Sequence, residues 1–442
     1  MAKITIVGAG SHFTLGLIGD FYRLDDLWGN ELVLYDINKE RLEVMEKLVK
    51  RHIERTSVNL KVKATTDKVE ALEGSDFVIV TIRSGGINAL KLFLEIPLRE
   101  GIIQVVGDTV GPSSALKGLF EIPAVLDIAR TLEDVSPDAL IINFTNPMTA
   151  ICTAILKGTK VKVVGLCHGI HDIRRLASKL LDLEIKKITP SAGGINHLTW
   201  VTSLKYGEED ILQRLKEAVI KGERWNIIKA HPYMAGRELL MTYKHPPTLS
   251  DRHTAEFFHY MYSWFRDQEV GNRLREVSWY IDYEKKTLSQ KVIDNEKERW
   301  IKMKRAAAGE EEAKVKPAHE EAADIISSII NNKRRSLLAV NIPNESYIEG
   351  VPKGGVVEVP ATVNRDGIKG LKIEGLSESI IAILNLHLKR FDLMAQGILE
   401  EDRNLILESM IIDPLTPTPL KAEKILNKFL AEARDLLTIH LK

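Results

Sequence analysis

Short apolar runs alternate with helical patterns through the first third of the chain. Runs rich in β-branched residues that end at glycine or polar residues predict strands at residues 4–7, 31–36, 77–82, 140–143 and 161–167. Between the second and third runs, apolar side chains recur near helical spacing opposite a charged face, which predicts a helix over Lys39–Thr56. Strands that alternate with helices indicate a parallel sheet with crossover helices.

The pattern changes from about Pro190 onward. Predicted strands at residues 195–203, 337–341 and 356–363 are separated by longer helical stretches, at residues 320–331 and from Ser377 onward. Residues 295–316 are rich in Glu, Lys, Arg and Ala, so we expect a solvated helix or surface segment there without a function. The sequence therefore predicts an α/β fold in two domains, with a boundary after residue 190.

Charge and composition narrow the class of partner. The chain has 442 residues, and its 61 Lys and Arg balance its 61 Asp and Glu, so no net field attracts nucleic acid or an anionic membrane. The sequence does not begin with the charged, apolar and small-residue regions of a secretory signal peptide, and no apolar run reaches membrane length, so we expect a cytoplasmic protein. With no net charge to attract polymers, we expect it to act on small molecules. Two cysteines, Cys152 and Cys167, are too few for a disulfide framework, and each is either a packed or a chemically useful thiol.

A glycine-rich turn follows the first predicted strand. Gly8 permits a tight turn, Gly10 lets the backbone approach a pyrophosphate, and a helical pattern begins at Phe13, where the usual third glycine is absent. Asp36 ends the second strand, where an acid contacts the adenosine ribose and favours NAD, although it could instead cap the next helix. We expect the cofactor at Gly8, Gly10, Ser11, His12, Asp36, Arg41 and Arg83.

Polar segments follow two of the later predicted strands, and a third polar segment comes later in the chain. They are residues 143–147, 165–169 and 193–197, and open parallel sheets bind ligands at such strand ends. A thiolate from Cys167 and an imidazole from His197, presented from two adjacent strand ends, can hold a divalent metal with open positions for substrate. Spacing alone equally allows a buried apolar thiol and a hydrogen-bonded core histidine.

These motifs, in this order, resemble glycoside hydrolase family 4, the NAD-dependent glycosidases. The resemblance implies a fold similar to lactate and malate dehydrogenases, with an NAD-binding Rossmann domain over residues 1–190 and an α+β substrate-binding and oligomerisation domain over residues 191–442. It also implies a divalent cation, usually manganese, on Cys167 and His197, and Asn146 near the sugar hydroxyls. The motifs are Gly8-Ala9-Gly10-Ser11, Asn143-Phe144-Thr145-Asn146-Pro147, Cys167-His168-Gly169, Gly194-Ile195-Asn196-His197, Asn341-Ile342-Pro343-Asn344, Val357-Glu358-Val359-Pro360 and Asp413-Pro414-Leu415-Thr416.

The chemistry that this resemblance implies explains why a hydrolase carries an oxidoreductase fold. Hydride leaves sugar C3 for NAD, and the resulting ketone acidifies the proton at C2. A base removes that proton while the metal stabilises the developing oxyanion. The aglycone leaves C1 by elimination, water adds, and the hydride returns, so that no net oxidation occurs.

The polar segment at residues 243–253 resembles the active-site loop of family members that act on unphosphorylated sugars. Asp251 is the first choice as base and Tyr243 the second, with Arg252 or His253 binding substrate or charging the site; a solvated loop with a helix cap is the alternative. Asp108 could assist as acid or cap the helix that follows Pro112. His168, directly after the cysteine, is the fourth candidate for the chemistry.

Departures from the phosphoglycosidase pattern indicate an unphosphorylated substrate. Phosphoglycosidase members carry an arginine where this chain has Leu90, beside Lys91, and an Asn or Asp where it has His168. A neutral sugar or uronic acid is therefore expected. The stretch at residues 83–101 nevertheless resembles the phosphosugar branch, and Arg83 or Arg99 could pair with a carboxylate or phosphate.

Three alternatives remain open at this point. They are a 6-phosphoglycosidase of the same family, a 2-hydroxyacid dehydrogenase and a non-catalytic NAD sensor. A dehydrogenase of that kind would use an imidazole and an arginine but no cysteine metal ligand. Whichever holds, we expect a homodimer or homotetramer, as in relatives.

Overall fold

The N-terminal half forms a parallel sheet flanked by helices. The computed structural model describes residues 1–56, 58–222, 233–249, 251–261, 280–312 and 315–442. The first six strands pair in the order β3-β2-β1-β4-β5-β6, all parallel, which is the strand order of dinucleotide-binding folds. Five were predicted; β3, with alternating charged residues, was not. These strands are β1 (Lys3–Val7), β2 (Glu31–Tyr35), β3 (Lys61–Thr65), β4 (Phe77–Val80), β5 (Leu140–Asn143) and β6 (Lys162–Gly165).

Crossover helices connect these strands. The predicted helix at Lys39–Thr56 is confirmed, and it buries Leu42, Met45 and Val49 in the sheet core as its periodicity requires. The helix at Gly111–Val135 is buried on nearly all sides, so it has little amphipathic pattern. In chain order the helices are α1 (Phe13–Arg23), α2 (Lys39–Thr56), α3 (Lys68–Leu72), α4 (Gly86–Arg99), α5 (Gly111–Val135), α6 (Met148–Gly158) and α7 (Ile170–Leu181).

Antiparallel strands extend the same sheet beyond β6. Its order continues β6-β12-β13-β7-β8-β9, with β14 paired to β13, while β10 and β11 form a separate hairpin. The predicted boundary after residue 190 falls inside β7, and the division into two domains stays a prediction. The strands are β7 (Ile188–Ile195), β8 (Leu198–Tyr206), β9 (Glu209–Asp210), β10 (Ile281–Asp282), β11 (Thr287–Leu288), β12 (Arg335–Pro343), β13 (Val356–Asn364) and β14 (Gly367–Gly370).

Two expectations about this region are wrong. The single strand predicted at residues 195–203 is a hairpin, because Asn196 and His197 form the turn between β7 and β8. The strand ends that carry Cys167 and His197 are not adjacent, because β12 and β13 lie between β6 and β7. Asn341 pairs with Gly165 on one side and with Glu358 on the other, and Glu358 pairs with Gly194.

The remaining helices surround the extended sheet. None of the helices in the described ranges combines the length and apolar composition needed to span a bilayer. The segment at residues 320–331 is confirmed as a helix, and so is the start of a helix after Ser377, which caps it through its side chain. The helices are α8 (Leu212–Lys221), α9 (Met234–Tyr243), α10 (Asp251–Thr254), α11 (Gln290–Ala308), α12 (Glu321–Asn331), α13 (Glu378–Leu399), α14 (Arg403–Ile411) and α15 (Pro419–Glu432).

Candidate active site

A cavity of about 1510 Å³ lies at the carboxyl ends of β1, β2 and β4. Its size suits an extended ligand, since typical ligand pockets occupy roughly 300–1,000 Å³. Residues from three strand ends, the glycine turn and α11 contribute to its wall. The structure brings all of the predicted cofactor residues to this wall: Gly8, Gly10, Ser11, His12, Asp36, Arg41 and Arg83.

The glycine turn leaves no room for side chains. Gly8 has φ +86°, and a Cβ there would lie 2.6 Å from the Thr81 carbonyl oxygen. The Gly10 amide donates to Asp36 Oδ2 at 2.8 Å. Asp36 does not cap α2, as the alternative held; Asn38 Oδ1 does, accepting from the Arg41 amide at 3.0 Å. Asp36 is thus fixed at the glycine turn, facing the cavity.

Helix α11 lines this cavity, a position that the expectation of a solvated helix or surface segment at residues 295–316 did not include. Glu296 Oε2 lies 2.7 Å from Arg83 Nη2, and its Oε1 lies 3.5 Å from Arg41 Nη2. The Arg41 guanidinium also lies 5.1 Å from the centre of the Trp300 ring. The two arginines that the sequence predicted for the cofactor therefore share one carboxylate from α11. Cavity-lining residues of α11 are Val292, Asn295, Glu296, Arg299, Trp300 and Met303.

Asp108, His197 and His253 form a compact group. The potential ligand atoms of the three lie within 4.8 Å of one another, and no other such group of three occurs in the described ranges. Each histidine Nδ1 lies 3.8 Å from Asp108 Oδ1, and the two imidazole rings are 4.1 Å apart. Asn146 Nδ2 donates to Asp108 Oδ2 at 3.1 Å. Residues predicted from separate motifs thus converge.

The loop between α4 and α5 presents Asp108 to this group. A buried carboxylate, Glu256, accepts hydrogen bonds from the backbone amides of Val106 at 2.6 Å and Gly107 at 3.1 Å. The N-cap of α5 is Val110, without a side-chain hydrogen bond, so the alternative that Asp108 caps this helix is wrong. Sequence analysis missed Glu256, although it stands only three positions after His253.

The turn between β7 and β8 holds His197 in an unusual conformation. His197 has φ +68°, in the left-handed region that non-glycine residues rarely adopt, at a cost of roughly 1–3 kcal/mol. Thr109 Oγ1 lies 2.7 Å from His197 Nδ1. Such strain persists only where surrounding contacts hold it, which marks this turn as a functional feature.

The protonation states in this group suit a divalent cation. Burial lowers the pKa of His197, and burial followed by the His197 charge lowers the pKa of His253 to about 3. Burial alone would raise the pKa of Asp108, but the charges of His197 and His253 and the Thr109 hydroxyl bring it below its usual value. Neutral imidazoles beside a carboxylate are the forms that bind metals.

Cys167 lies beside this group but outside it. Its sulfur accepts a hydrogen bond from the Gly169 amide at 3.4 Å and contacts the Asn196 side chain, next to His197. Burial, and then the Glu358 charge, raise the pKa of the thiol well above its usual value. Its role as a metal ligand stays a prediction. Cys152 is the packed thiol, with its pKa raised to about 12 by burial.

A buried carboxyl, Glu358, connects the Asn341 motif to the motif that carries His197. Its Oε2 accepts from Asn341 Nδ2 at 2.8 Å and from Asn196 Nδ2 at 3.5 Å. Burial raises its pKa to about 7. The sequence motifs around Asn341 and Glu358 therefore hold the Asn196 side chain, next to His197, through hydrogen bonds. The sequence did not indicate this role.

The structure argues against Asp251 as the base. Its carboxylate is fully buried and accepts from the backbone amides of Met234 at 2.5 Å and Gly236 at 3.2 Å, at the start of α9. Burial raises its pKa to about 7, which would suit a base, but both oxygens are engaged. These contacts resemble a helix cap, although the residue is buried and not in the solvated loop of the alternative, and its part as base stays a prediction.

Tyr243 and His168 also lie outside the Asp108 group. The Tyr243 ring packs against Trp200, 5.3 Å between ring centres, and against Phe258, as a core residue does. His168 Nδ1 lies 2.8 Å from Glu320 Oε1, an ion pair that raises the pKa of the imidazole. Neither contact supports the predicted part in the chemistry.

Tyr280 is the main residue that sequence analysis missed. It lines the nucleotide cavity, and the Arg252 guanidinium lies 5.8 Å from its ring centre. Burial raises the pKa of its phenol, while the positive charge of Arg252 opposes that rise, and the Asp108 charge also acts on it. Tyr280 therefore lines the cavity, contacts Arg252 and lies within electrostatic reach of Asp108. No motif surrounds it in the sequence, so no signal could have identified it.

The strand order, the glycine turn and the Asp108, His197 and His253 group define a class of enzymes with a dinucleotide-binding fold and a second, polar site beside the cofactor cavity. Comparison with family models shows to which family of this class the chain belongs. The model of the family 4 glycosyl hydrolases matches residues 3–183, and that of the family 4 glycosyl hydrolase C-terminal domain matches residues 192–416. The chain belongs to glycosyl hydrolase family 4 and is a glycosidase.

Curated relatives span the whole chain. An alpha-glucosidase of Erwinia rhapontici is 29% identical and covers 93% of this chain and 93% of its own length. An alpha-galacturonidase of Bacillus subtilis is 28% identical and covers 97% of this chain and 96% of its own length. Neutral-sugar and uronic-acid enzymes are thus about equally similar.

Solved structures share the fold. The Bacillus subtilis protein lplD has a TM-score of 0.85 at 24% identity, covering 97% of this chain and 100% of its own. A 6-phospho-alpha-glucosidase from gut microorganisms, in complex with NAD and Mn²⁺, has a TM-score of 0.82 at 21% identity and covers both chains fully (100%). Malate dehydrogenase of Plasmodium falciparum has a TM-score of 0.52 at 13% identity, covering 92% of this chain and 100% of its own. The predicted fold class is confirmed.

Buried acids predict a loss of stability at alkaline pH. Burial raises the pKa of Glu256 to about 8 and those of Asp251, Glu321 and Glu358 to about 7. In the unfolded chain these groups titrate near ~4, so the folded state binds more protons and stability falls as pH rises through 7 to 8. Buried histidines oppose this trend only below about pH 6.5, where unfolded histidine becomes protonated.

We predict that the melting temperature falls between pH 6.5 and 8.5, as calorimetry would measure. Glu256→Gln should reduce the slope by up to about 1.4 kcal/mol per pH unit, because the amide does not titrate. The exposed Glu378→Gln is the matched control and should keep the slope. A melting temperature that is constant or rises over this range would contradict the prediction.

Proposed function

We propose that this glycosidase uses NAD and a divalent cation, preferably Mn²⁺, to cleave an O-glycosidic bond through transient oxidation of the sugar at C3. The observation that carries the proposal is that Tyr280, on the wall of the nucleotide cavity, lies beside Arg252 and within electrostatic reach of Asp108, a member of the group with His197 and His253. A sugar there would face the cofactor and the cation together. The 6-phospho-alpha-glucosidase structure with NAD and Mn²⁺ supports the same pair of cofactors.

The residues present fit both groups. For NAD, Gly8 and Gly10 line the cavity with bare backbone, because a Cβ at either would clash with Thr81 or Arg41, and Asp36 lies at the cavity wall where a ribose hydroxyl would bind. For the cation, His197 and His253 are neutral imidazoles beside the Asp108 carboxylate, and Cys167 lies next to them as a soft donor. We infer that these four residues hold the cation.

When bound, NAD takes and returns the hydride of C3, and the cation stabilises negative charge on the sugar oxygens. The protein's own side chains transfer the proton and orient the sugar. We propose Tyr280 as the group that takes the C2 proton; burial raises the pKa of its phenol, and the positive charge of Arg252 opposes that rise and so favours the phenolate that the step needs. Asn146 and Arg252 orient the sugar. Because the pKa of Asp108 is lowered, we propose it as a ligand and hydrogen-bond acceptor rather than as the acid predicted from sequence.

We further propose an unphosphorylated uronic acid as substrate. Phosphoglycosidase members carry an arginine at the position of Leu90. Here the side chain is an apolar, buried leucine, which cannot bind a phosphate. Arg99 lies 2.5 Å from Glu95 and 3.6 Å from Glu432, so it serves the packing of α4. Arg252 lies near His253 and beside the Tyr280 ring, where its guanidinium is suited to a carboxylate. The alpha-galacturonidase relative supports this choice.

Because the chain belongs to glycosyl hydrolase family 4, we no longer consider the alternatives of a 2-hydroxyacid dehydrogenase and a non-catalytic NAD sensor. The cytoplasmic location and the homodimer or homotetramer stay predictions.

The base can be identified by solvent exchange. With NAD, Mn²⁺ and a nitrophenyl glycoside in deuterated water, we expect deuterium at C2 of the released sugar. Tyr280→Phe should slow release and exchange by about 10²- to 10⁴-fold, because it removes a proton acceptor. Asp251→Asn, which keeps one acceptor for α9, is the control and should retain exchange when folded, as circular dichroism reports. Absence of deuterium in the wild type would refute the mechanism, and loss of exchange only in Asp251→Asn would refute Tyr280 as base.

Substrate charge is testable through Arg252. For a nitrophenyl galacturonide, Arg252→Gln should lower kcat/KM by about 10- to 100-fold, because a hydrogen bond to a charged group is lost. For the galactoside, kcat/KM should change much less. Arg214→Gln, at an exposed arginine paired with Glu209, is the matched control. Equal losses on both substrates would contradict carboxylate recognition, and a preference for a 6-phosphoglycoside would overturn the substrate class.

The carboxylate shared by Arg41 and Arg83 predicts an effect on NAD affinity. Glu296→Gln should free both arginines for the anionic cofactor and tighten NAD binding by about 2- to 5-fold, since partly exposed ion pairs contribute up to about 1 kcal/mol. Titration calorimetry at low and high salt would measure this. Glu298→Gln, exposed on the same helix, is the control. Weaker NAD binding by Glu296→Gln would contradict the prediction.

A further inference from the structure

A buried ion pair from the C-terminal part of the chain lies behind the loop that carries Asp108. Arg390, on α13, and Asp413 are both fully buried, with Nε 3.2 Å from Oδ2. Asp413 Oδ2 accepts from the Gly111 amide at 2.7 Å, and Arg390 Nη2 donates to the Thr109 carbonyl at 2.6 Å. The pair therefore holds the backbone on both sides of Val110.

Asp413 stands in a sequence motif to which the proposed chemistry gives no part. Buried ion pairs contribute little net stability, because desolvation opposes their attraction, and a role in fixing one conformation is a better reason to retain them. Asp413 also accepts from the Leu415 amide at 2.9 Å, so its own position is fixed by its motif. The Ser114 hydroxyl adds a second donor to the Thr109 carbonyl, at 2.7 Å. Thr109 is consequently held from behind at its backbone.

The Thr109 side chain points the other way, into the site. Its hydroxyl is buried and donates to Asp108 Oδ1 at 2.8 Å. A hydroxyl has one proton, so at its second contact, 2.7 Å from His197 Nδ1, it must accept. His197 then carries its proton on Nδ1. The lone pair is left on Nε2, the nitrogen that is free to bind a cation.

We propose that Thr109 is a positioning residue that fixes the tautomer and ring orientation of His197, and that the Arg390–Asp413 pair holds Thr109 in place. This inference rests on the proposed function, because it concerns the cation that His197 is proposed to bind. Loss of partners of this kind, one hydrogen bond behind a ligand, typically weakens metal affinity by about 10- to 100-fold. The hydroxyl would thus act without touching the cation or the sugar.

Binding of Co²⁺ and Mn²⁺ to the full chain without substrate tests the proposal. Thr109→Val replaces the hydroxyl by a methyl group of similar size and should weaken binding by about 10- to 100-fold in titration calorimetry. Thr109→Ser keeps the hydroxyl and should restore affinity, a rescue that a purely structural role would not produce. The visible spectrum of bound Co²⁺ should shift in Thr109→Val and not in Thr109→Ser. Unchanged affinity in Thr109→Val overturns the proposal.

Two further variants separate the possible failures. If His197→Ala binds the cation as the wild type does, the proposed metal site itself fails; if it loses binding while Thr109→Val does not, only the role of Thr109 fails. Asp413→Asn should weaken binding in the same direction as Thr109→Val. Asp324→Asn, at the Arg335 pair outside the site, is the matched control and should not. Equal affinity in Asp413→Asn that folds normally refutes the part assigned to the ion pair.

Discussion

Two buried carboxylates hold the loop between α4 and α5 by its backbone amides, and the geometry of the site depends on that hold. Glu256 binds the amides of Val106 and Gly107 from one side, and Asp413 binds the amide of Gly111 from the other. A short loop between two helices would otherwise sample several conformations. Fixing it at both ends places the Asp108 carboxylate against two imidazoles that come from distant parts of the chain.

The site carries costs that a purely structural region would avoid. His197 adopts a left-handed conformation, and Glu358 Oε1, Asn196 Oδ1 and Asn341 Oδ1 are buried without a hydrogen-bond partner within the described chain. Each such feature destabilises the fold by an amount on the order of 1–3 kcal/mol. The surrounding sheet, with its apolar interior strands, is rigid enough to sustain them. Concentration of strain and unsatisfied polar atoms at one place is typical of a functional site.

Local pattern was sufficient for much of the fold. The strands of the parallel sheet and α2 follow from periodicity, and the glycine turn and Asp36 from the spacing of a few residues, because each involves neighbours in sequence. Contacts between distant segments are a different matter. Glu256 and Asp413 bind residues 149 and 302 positions away, and no spacing rule reaches that far.

Other errors arose because one sequence feature serves two structures. An aspartate at the start of a helix looks the same whether it is a base or a cap, and Asp251 has the contacts of a cap. A charged helix looks solvated unless a few apolar residues share one face. In α11, Trp300 and Met303 stand three residues apart and turn that face to the nucleotide cavity. The turn at Asn196 and His197 was missed because glycine is the usual residue in the left-handed position.

A covered nucleotide cavity is consistent with the chemistry proposed for this chain. In a dehydrogenase the cofactor leaves changed after each turnover, so its site must open. In the proposed reaction the hydride returns to the same sugar, and the cofactor ends each cycle as it began. Helix α11 can therefore remain over the cavity, linked to Arg41 and Arg83 by Glu296, without limiting turnover. Substrate exchange then needs access only on the side of the Asp108 group, where Arg252 and Tyr280 stand, so retention of cofactor and release of product are handled by different parts of the same site.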